Sequence, residues 1–204
     1  MSLEYIINLP EINCFVIIYR NAVGREKTEE IFKVLERDCV IRHPITIFGK
    51  KLIQPRTNCL YANENIKSMK YSTATIQALP FPKVIEELKN MISISGFTPD
   101  SCLVNGYLSE LDNVGLHRDK NLKDGNDVVC TVSIGYSRKF RYVPYKKISC
   151  LIELKSYETI LNDGDILYMY GNVNIYFQHE ILKYNKKDHY EFGPRYSATF
   201  RKIN

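Results

Sequence analysis

The chain contains no tryptophan, only four histidines, and no apolar stretch near the roughly 18 residues that a membrane span requires. Its opening segment holds an apolar run of four, Phe15 to Ile18, without a basic start or a long apolar core. A signal peptide and a membrane anchor are therefore not expected. Cys14, Cys39, Cys59, Cys102, Cys130 and Cys150 form no CxxC and no tight cluster. That spacing argues against the usual zinc frameworks and against the disulfide scaffold of a small secreted domain. Reduced core thiols in an intracellular protein, of nucleus or cytoplasm, are the expectation. Internal repeats and low-complexity tracts are missing too, which argues against solenoids and disordered linkers.

What is present reads as one ordinary globular domain. A chain of 204 residues buries roughly 70% of its unfolded surface, so its core needs no cross-links. The net charge is +5, and its placement is uneven. Residues 20–70 hold 11 Lys and Arg against 6 Asp and Glu, while the rest of the chain is balanced. A basic first third fits contact with a polyanion; the alternative is an ordinary solvated basic face.

In TEEIFKVLERD, Ile31, Val34 and Leu35 fall at i, i+3 and i+4 with acids in the first turn, which predicts an amphipathic helix. PKVIEELKNMI predicts a second helix, with Pro82 in the first turn, Val84, Leu88 and Met91 in one stripe, and Gly96 beyond its end. A strand-like run covers Phe15–Tyr19. From Cys102 onward, CLVNGYL, VVCTVSIGY, KFRYVPY, SCLIELK, DILYMYG, IYFQHEI and RYSATFR read as short strands between turn-forming clusters. Asn162-Asp163-Gly164-Asp165 reads as a tight hairpin turn. The expected fold is α+β: a double-stranded β-helix (jelly roll) with two supporting N-terminal helices on one sheet face and an N-terminal extension.

In GLHRDKN, His117 and Asp119 are two apart, so an extended chain projects both to one side. An H-x-D pair alone arises readily by chance in a chain with 23 acids. A metal site needs a third ligand, and His179 in IYFQHEI is the best-placed remaining histidine. Two imidazoles and a carboxylate on one face of an octahedron leave three positions open. That suits non-haem Fe(II), which must take a bidentate co-substrate and then oxygen. RYSATFR puts Arg195, Ser197, Thr199 and Arg201 on one strand face. Two guanidiniums buried on one face repel unless an anion lies between them. A dicarboxylate fits their planar, bidentate hydrogen bonding; the alternative is an edge strand with two solvated arginines. His43 and His189 read as loop residues. Asp163-Gly164-Asp165 resembles part of a calcium loop without its remaining ligands, and Lys186-Lys187 reads as a solvated turn or a phosphate contact.

Taken in order, PDSCLVNGYLSELDNVGLHRDKN, TVSIGYSRKFRY, LNDGDILYMYG, FQHEI and RYSATFRKI resemble the blocks of the AlkB family of Fe(II)/2-oxoglutarate-dependent dioxygenases, over about residues 80–203. The resemblance implies iron ligation by His117, Asp119 and His179, with 2-oxoglutarate and O2 as co-substrates. Asn105, Tyr107, Arg195, Thr199 and Arg201 would hold 2-oxoglutarate, Arg201 facing the keto-acid carboxylate and Arg195, with Tyr107, the distal one. It also implies a single dioxygenase domain, with an N-terminal extension and nucleotide-recognition lid over about residues 1–78 and a helix plus jelly-roll core over about 79–204. The implied activity is oxidative demethylation of N-alkylated bases such as 1-methyladenine and 3-methylcytosine. DNA is the first candidate substrate and RNA the second, for a monomer without membrane partners.

The first third is similar to the duplex-DNA-directed members. In ITIFGKKLIQPRTNCLYANE, Ile47-Phe48-Gly49 would be a hydrophobic finger, with Phe48 wedging into the base stack vacated by a flipped nucleotide; its alternative is a place in the core. Lys50, Lys51 and Arg56 would bind phosphates, and Tyr71 would reach the extruded base. Two positions depart from the family pattern. Thr73 stands where the lid often carries a further aromatic, and Asn121 where an acid commonly lies near the base. Asn121 can still hydrogen-bond a base, so substrate identity is affected more than chemistry. Two other classes stay open: an AlkB-like oxygenase acting on RNA, protein or lipid, and a catalytically silent nucleic-acid-binding module.

Overall fold

The computed structural model describes residues 2–47, 49–71, 73–94, 96–119, 128–145 and 154–203. The first third runs β1 (Ser2–Leu9), β2 (Cys14–Arg20), α1 (Arg25–Asp38), β3 (Pro44–Ile47), β4 (Lys50–Ile53), β5 (Thr57–Ala62), β6 (Ser68–Tyr71) and β7 (Ala74–Leu79). Then follow α2 (Lys83–Ile92), β8 (Ser101–Tyr107), β9 (Val114–His117), β10 (Val129–Gly135), β11 (Arg138–Pro144), β12 (Tyr157–Leu161), β13 (Ile166–Gly171), α3 (Val173–Tyr176), β14 (Phe177–Ile181) and β15 (Arg195–Arg201). Nine strands form one sheet in the order β1-β2-β13-β10-β15-β8-β5-β7-β6. Four form the opposing sheet, β12-β11-β14-β9, and β3-β4 is a separate hairpin. This is the expected jelly-roll arrangement with helices on the large sheet.

Side-chain alternation divides the interior into two layers. On β15, Tyr196, Ala198 and Phe200 join Cys130, Val132 and Ile134 of β10 in a core that α1 and α2 close with Ile31, Leu35, Ile85, Leu88 and Ile92. The opposite face of the large sheet meets the small sheet through Val16, Ile18, Leu167, Met169, Phe140, Tyr142, Phe177 and Ile181. Between those apolar groups, β10 and β15 pair Thr131 with Thr199 and Ser133 with Ser197. Four small hydroxyl side chains on adjacent rungs cannot fill the gap between sheets, and that is where the cavity lies.

Three expectations are corrected. Met91 is half exposed, and the buried face of α2 is Val84, Ile85, Leu88, Lys89 and Ile92; Pro82 is the residue before the helix rather than inside it. The turn at Asn162–Asp165 is tight but joins no hairpin, because β12 pairs with β11 while β13 pairs with β10 and β2. Its carboxylates fix the crossing between sheets. Asp165 accepts from the backbone N–H of Asn21 and from Arg20, and Asp163 accepts from the Gly135 N–H and the Thr28 hydroxyl. The first third, read from sequence as one strand, a helix and an irregular basic segment, adds β1, β2 and β5–β7 to the large sheet. The SCLIELK segment lies largely outside the described residues. No helix among the described residues is long and apolar enough to cross a membrane.

Candidate active site

The register of the small sheet sets His179 of β14 directly across from His117 of β9. β9 ends at His117, and Asp119 follows two residues later with its backbone N–H donated to Asn174 (3.3 Å). One ligand atom from each of His117, Asp119 and His179 lies within 4.8 Å of the others. His179 Nε2 is 3.7 Å from Asp119 Oδ2. The His117 Nδ1 lies 2.9 Å from the Gly115 carbonyl, which can only accept, so the ring proton sits there and Nε2 keeps its lone pair. Burial, then the neighbouring His117, pushes the His179 imidazole down to about 3. Burial lowers His117 as well. For Asp119, burial works against ionisation, but Arg201 and the two histidines outweigh it and hold the carboxyl below its ordinary range. Near neutral pH the cluster is thus two neutral imidazoles and one carboxylate, the protonation that a divalent cation requires. Asp119 Oδ2 and His179 Nδ1 are buried with no hydrogen-bond partner among the described residues. The orphaned carboxylate oxygen fits a bound cation, which would satisfy it.

A cavity runs from this cluster between the sheets, lined by Asn105, Tyr107, Thr131, Phe140, Ser197, Thr199 and Arg201. Arg201 is hydrogen-bonded to Asp119 Oδ1, while its Nε has no acceptor among the described residues. Arg195 is fully buried on the same strand face. Its Nε donates to Ser133 Oγ (3.1 Å), its guanidinium lies 5.3 Å from the ring centre of Tyr107, which favours its charge, and Nη1 and Nη2 lack acceptors among the described residues. Burial lowers its pKa to about 10. Gly135, opposite Arg195, has φ +87°, and a Cβ there would come within 2.5 Å of the Pro194 carbonyl. Only glycine allows that approach, which sets where β15 begins. On its other side the cluster opens into a second cavity of about 440 Å³, edged by Leu116, Arg118, Tyr145, Asn174 and Gln178.

Seven of the eight residues expected at the metal and co-substrate positions therefore line one cavity, and the eighth, Arg195, lies beside it against Tyr107. Arg56 does not behave as expected: it is buried and donates to Asn105 Oδ1 (3.0 Å), so it braces the cavity wall rather than meeting a surface phosphate. Asn58 donates to the same oxygen (2.7 Å). Lys50 and Lys51 are exposed on the β3–β4 hairpin. Thr73 accepts from the Thr46 N–H (2.6 Å), tying that hairpin to the β6–β7 turn. Tyr71 ends β6, whereas Phe48 and Asn121 lie outside the described residues. His189 is exposed, as expected. Sequence reasoning missed Arg138, Phe140 and Asn174. The alternation in RKFRYVP was a usable signal: Arg138, Phe140 and Tyr142 all face inward. Phe140 stacks on His179 at 13° with ring centres 5.5 Å apart.

The loop that leads from β8 to β9 is held by Asp112. Its carboxylate accepts two bonds from Arg42 (2.9 and 2.8 Å), two backbone N–H groups and the Ser109 hydroxyl. Burial opposes its charge, and these donors overcome it, so the folded pKa is depressed. Such a group stabilises fully above its unfolded pKa of about 3.9 and loses that contribution as pH falls through the folded value. Asp112→Asn is expected to lower stability by about 2 kcal/mol between pH 5 and 8. In urea unfolding the difference from wild type should shrink below about pH 4; a difference that grows there would contradict the assignment.

Residues 15–201 match the model of the 2OG-Fe(II) oxygenase superfamily. The chain is 28% identical to the human DNA oxidative demethylase ALKBH2 over 196 residues, covering 91% of this chain and 72% of that protein. It is also 28% identical over 158 residues to an uncharacterized protein of Acanthamoeba polyphaga mimivirus, covering 74% and 75%. Among solved structures, that titled "The structure of OsALKBH1" superposes with a TM-score of 0.61 at 18% identity, over 92% of this chain and 97% of that one. An oxidoreductase of the 2OG-Fe(II) oxygenase family from Burkholderia pseudomallei gives 0.55 at 10% identity, over 91% and 84%. Sequence match, shared fold and a cavity joining a His-Asp-His cluster to the buried Arg201 agree: the chain belongs to the 2OG-Fe(II) oxygenase superfamily and, within it, to the AlkB family.

Proposed function

We propose that this chain removes methyl groups from ring nitrogens of nucleic-acid bases, with His117, Asp119 and His179 holding Fe(II) and Asn105, Tyr107, Arg195, Thr199 and Arg201 holding 2-oxoglutarate. The observation that carries it is a metal-ready cluster opening on a cavity lined by Asn105, Tyr107, Thr199 and Arg201, with the buried guanidinium of Arg195 beside Tyr107 and two of its nitrogens without acceptors among the described residues. When bound, iron with 2-oxoglutarate and oxygen supplies a hydroxylation: one oxygen atom enters a methyl C–H bond, and the other leaves in succinate as carbon dioxide is lost. The N-hydroxymethyl product then loses its hydroxyl proton as its C–N bond breaks, formaldehyde leaves, and the electron pair of that bond stays on the ring nitrogen. No protein acid or nucleophile is needed for that collapse. The protein's part is to orient and shield. Arg201 bonds Asp119, Phe140 stacks on His179, and the apolar layer around the cavity excludes water.

A DNA substrate is supported by the relatives named as DNA oxidative demethylases, by the basic first third and by exposed Lys50 and Lys51 on the β3–β4 hairpin. The test is formaldehyde release from single- and double-stranded oligonucleotides carrying 1-methyladenine or 3-methylcytosine, as DNA and as RNA, with iron supplied. Release from methylated DNA is expected. Release from RNA alone would defeat the DNA reading, and release from none would remove the nucleic-acid substrate.

A further inference from the structure

Arg138, at the start of β11, has no part in the reading so far, yet it is only 1% exposed. Its Nη2 donates to the Ser109 carbonyl (3.0 Å), while Nε and Nη1 have no acceptor among the described residues. Phe192 and Tyr184 pack against the guanidinium at 5.1 and 5.7 Å. Asp112 lies near enough to favour its charge, but both of that carboxylate's oxygens are committed to Arg42, Leu108 and Ser109. Arg195 is in the same condition, with two unpaired nitrogens. The two guanidiniums lie at the same end of the sheets: Arg195 pairs across β15–β8 with Tyr107, and Arg138 bonds the Ser109 carbonyl two residues further along that segment; after burial, the positive charge of Arg138 also helps to depress Arg195. Two like charges and four unpaired nitrogen atoms buried side by side are unfavourable unless an anion joins them.

Position says which anion. Along β11 the inward residues are Arg138, Phe140 and Tyr142, with Tyr142 across from His179. Along β15 they run from Arg195 to Arg201, which bonds Asp119. Each unpaired arginine thus sits at the end of its strand remote from the His-Asp-His cluster, past cavity-lining Phe140 on one side and Ser197 and Thr199 on the other. We infer that Arg138 joins Arg195 as a second arginine for the distal carboxylate of 2-oxoglutarate, and that it makes the site selective for dicarboxylates over 2-oxo monocarboxylates. This rests on the co-substrate reading above.

The test is calorimetric titration of the Mn(II)-loaded protein with 2-oxoglutarate and with 2-oxobutyrate, which lacks the distal carboxylate. Arg138→Met is expected to weaken 2-oxoglutarate by about tenfold to a hundredfold, the worth of a charge-assisted hydrogen bond. Affinity for 2-oxobutyrate should stay within about twofold, since its keto-acid end meets other residues. Arg138→Lys keeps the charge without the planar fork and should lose part of the 2-oxoglutarate affinity alone; it decides the matter if Arg138→Met does not fold. Unchanged 2-oxoglutarate affinity, or equal weakening of both keto acids, overturns the role of Arg138. A wild-type protein that binds neither keto acid overturns the co-substrate reading itself, and the inference with it.

Discussion

His179→Ala is expected to abolish metal-dependent turnover and to weaken Mn(II) or Fe(II) binding by more than about a hundredfold. Partners that only touch metal ligands are worth about 10–100-fold in affinity, so loss of a ligand should exceed that. The size of the effect follows from how the residue is held. His179 is fixed across from His117 by the β14–β9 register, stacked under Phe140, and kept neutral by its burial. No other histidine is near enough to substitute, because His43 and His189 lie in distant loops. The metal-free variant should remain folded, since Nδ1 of the removed imidazole has no hydrogen-bond partner among the described residues that truncation would orphan. Metal titration by calorimetry and circular dichroism of the same sample separate these outcomes. Unchanged affinity in a folded variant would rule His179 out as a ligand.

Arg195→Met should produce opposite effects on binding and stability. Loss of its two unpaired nitrogens is expected to weaken 2-oxoglutarate by more than about a hundredfold, because a bidentate charge-assisted pair is lost. The ligand-free protein should become more stable by about 1–2 kcal/mol, because an apolar side chain replaces an uncompensated buried cation. Burial already depresses the Arg195 pKa to about 10, which records the same cost. Metal affinity should not change, since its bonded partner Ser133 lies on β10 away from the cluster. A site that keeps a destabilising charge for its ligand is the usual trade between stability and function. Retained 2-oxoglutarate affinity, or a large loss of ligand-free stability, would mean that Arg195 is only a structural residue.

The parts of this site that were legible in sequence are those governed by strand periodicity. His117 and Asp119 two apart, and four inward residues at alternate positions of RYSATFR, needed only an extended backbone to be read. What was not legible depends on which strands become neighbours. In SRKFRYV the alternation puts Arg138 on the face of Phe140 and Tyr142, but nothing local tells that this end of the face is covered; its burial follows from Phe192 and Tyr184, more than 40 residues on. Arg56 looked like a phosphate ligand because it follows a basic hairpin, yet Asn105 of β8 draws it inward. The same limit applies to fold. TNCLYA is buried on every residue because β8 and β7 flank it and side chains cover both faces. It therefore shows no alternation to read. On α2 two apolar stripes compete, and packing against the large sheet selects Ile85 and Ile92 over Met91.

The proposed reaction couples three things: the His-Asp-His cluster, 2-oxoglutarate and a methylated base. Its most direct test is to count succinate and formaldehyde together when the protein acts on methylated DNA with Fe(II). Formaldehyde is expected only alongside succinate, both should require added iron and 2-oxoglutarate, and both should vanish in His179→Ala. Formaldehyde released without 2-oxoglutarate, or at equal rates by wild type and His179→Ala, would contradict it.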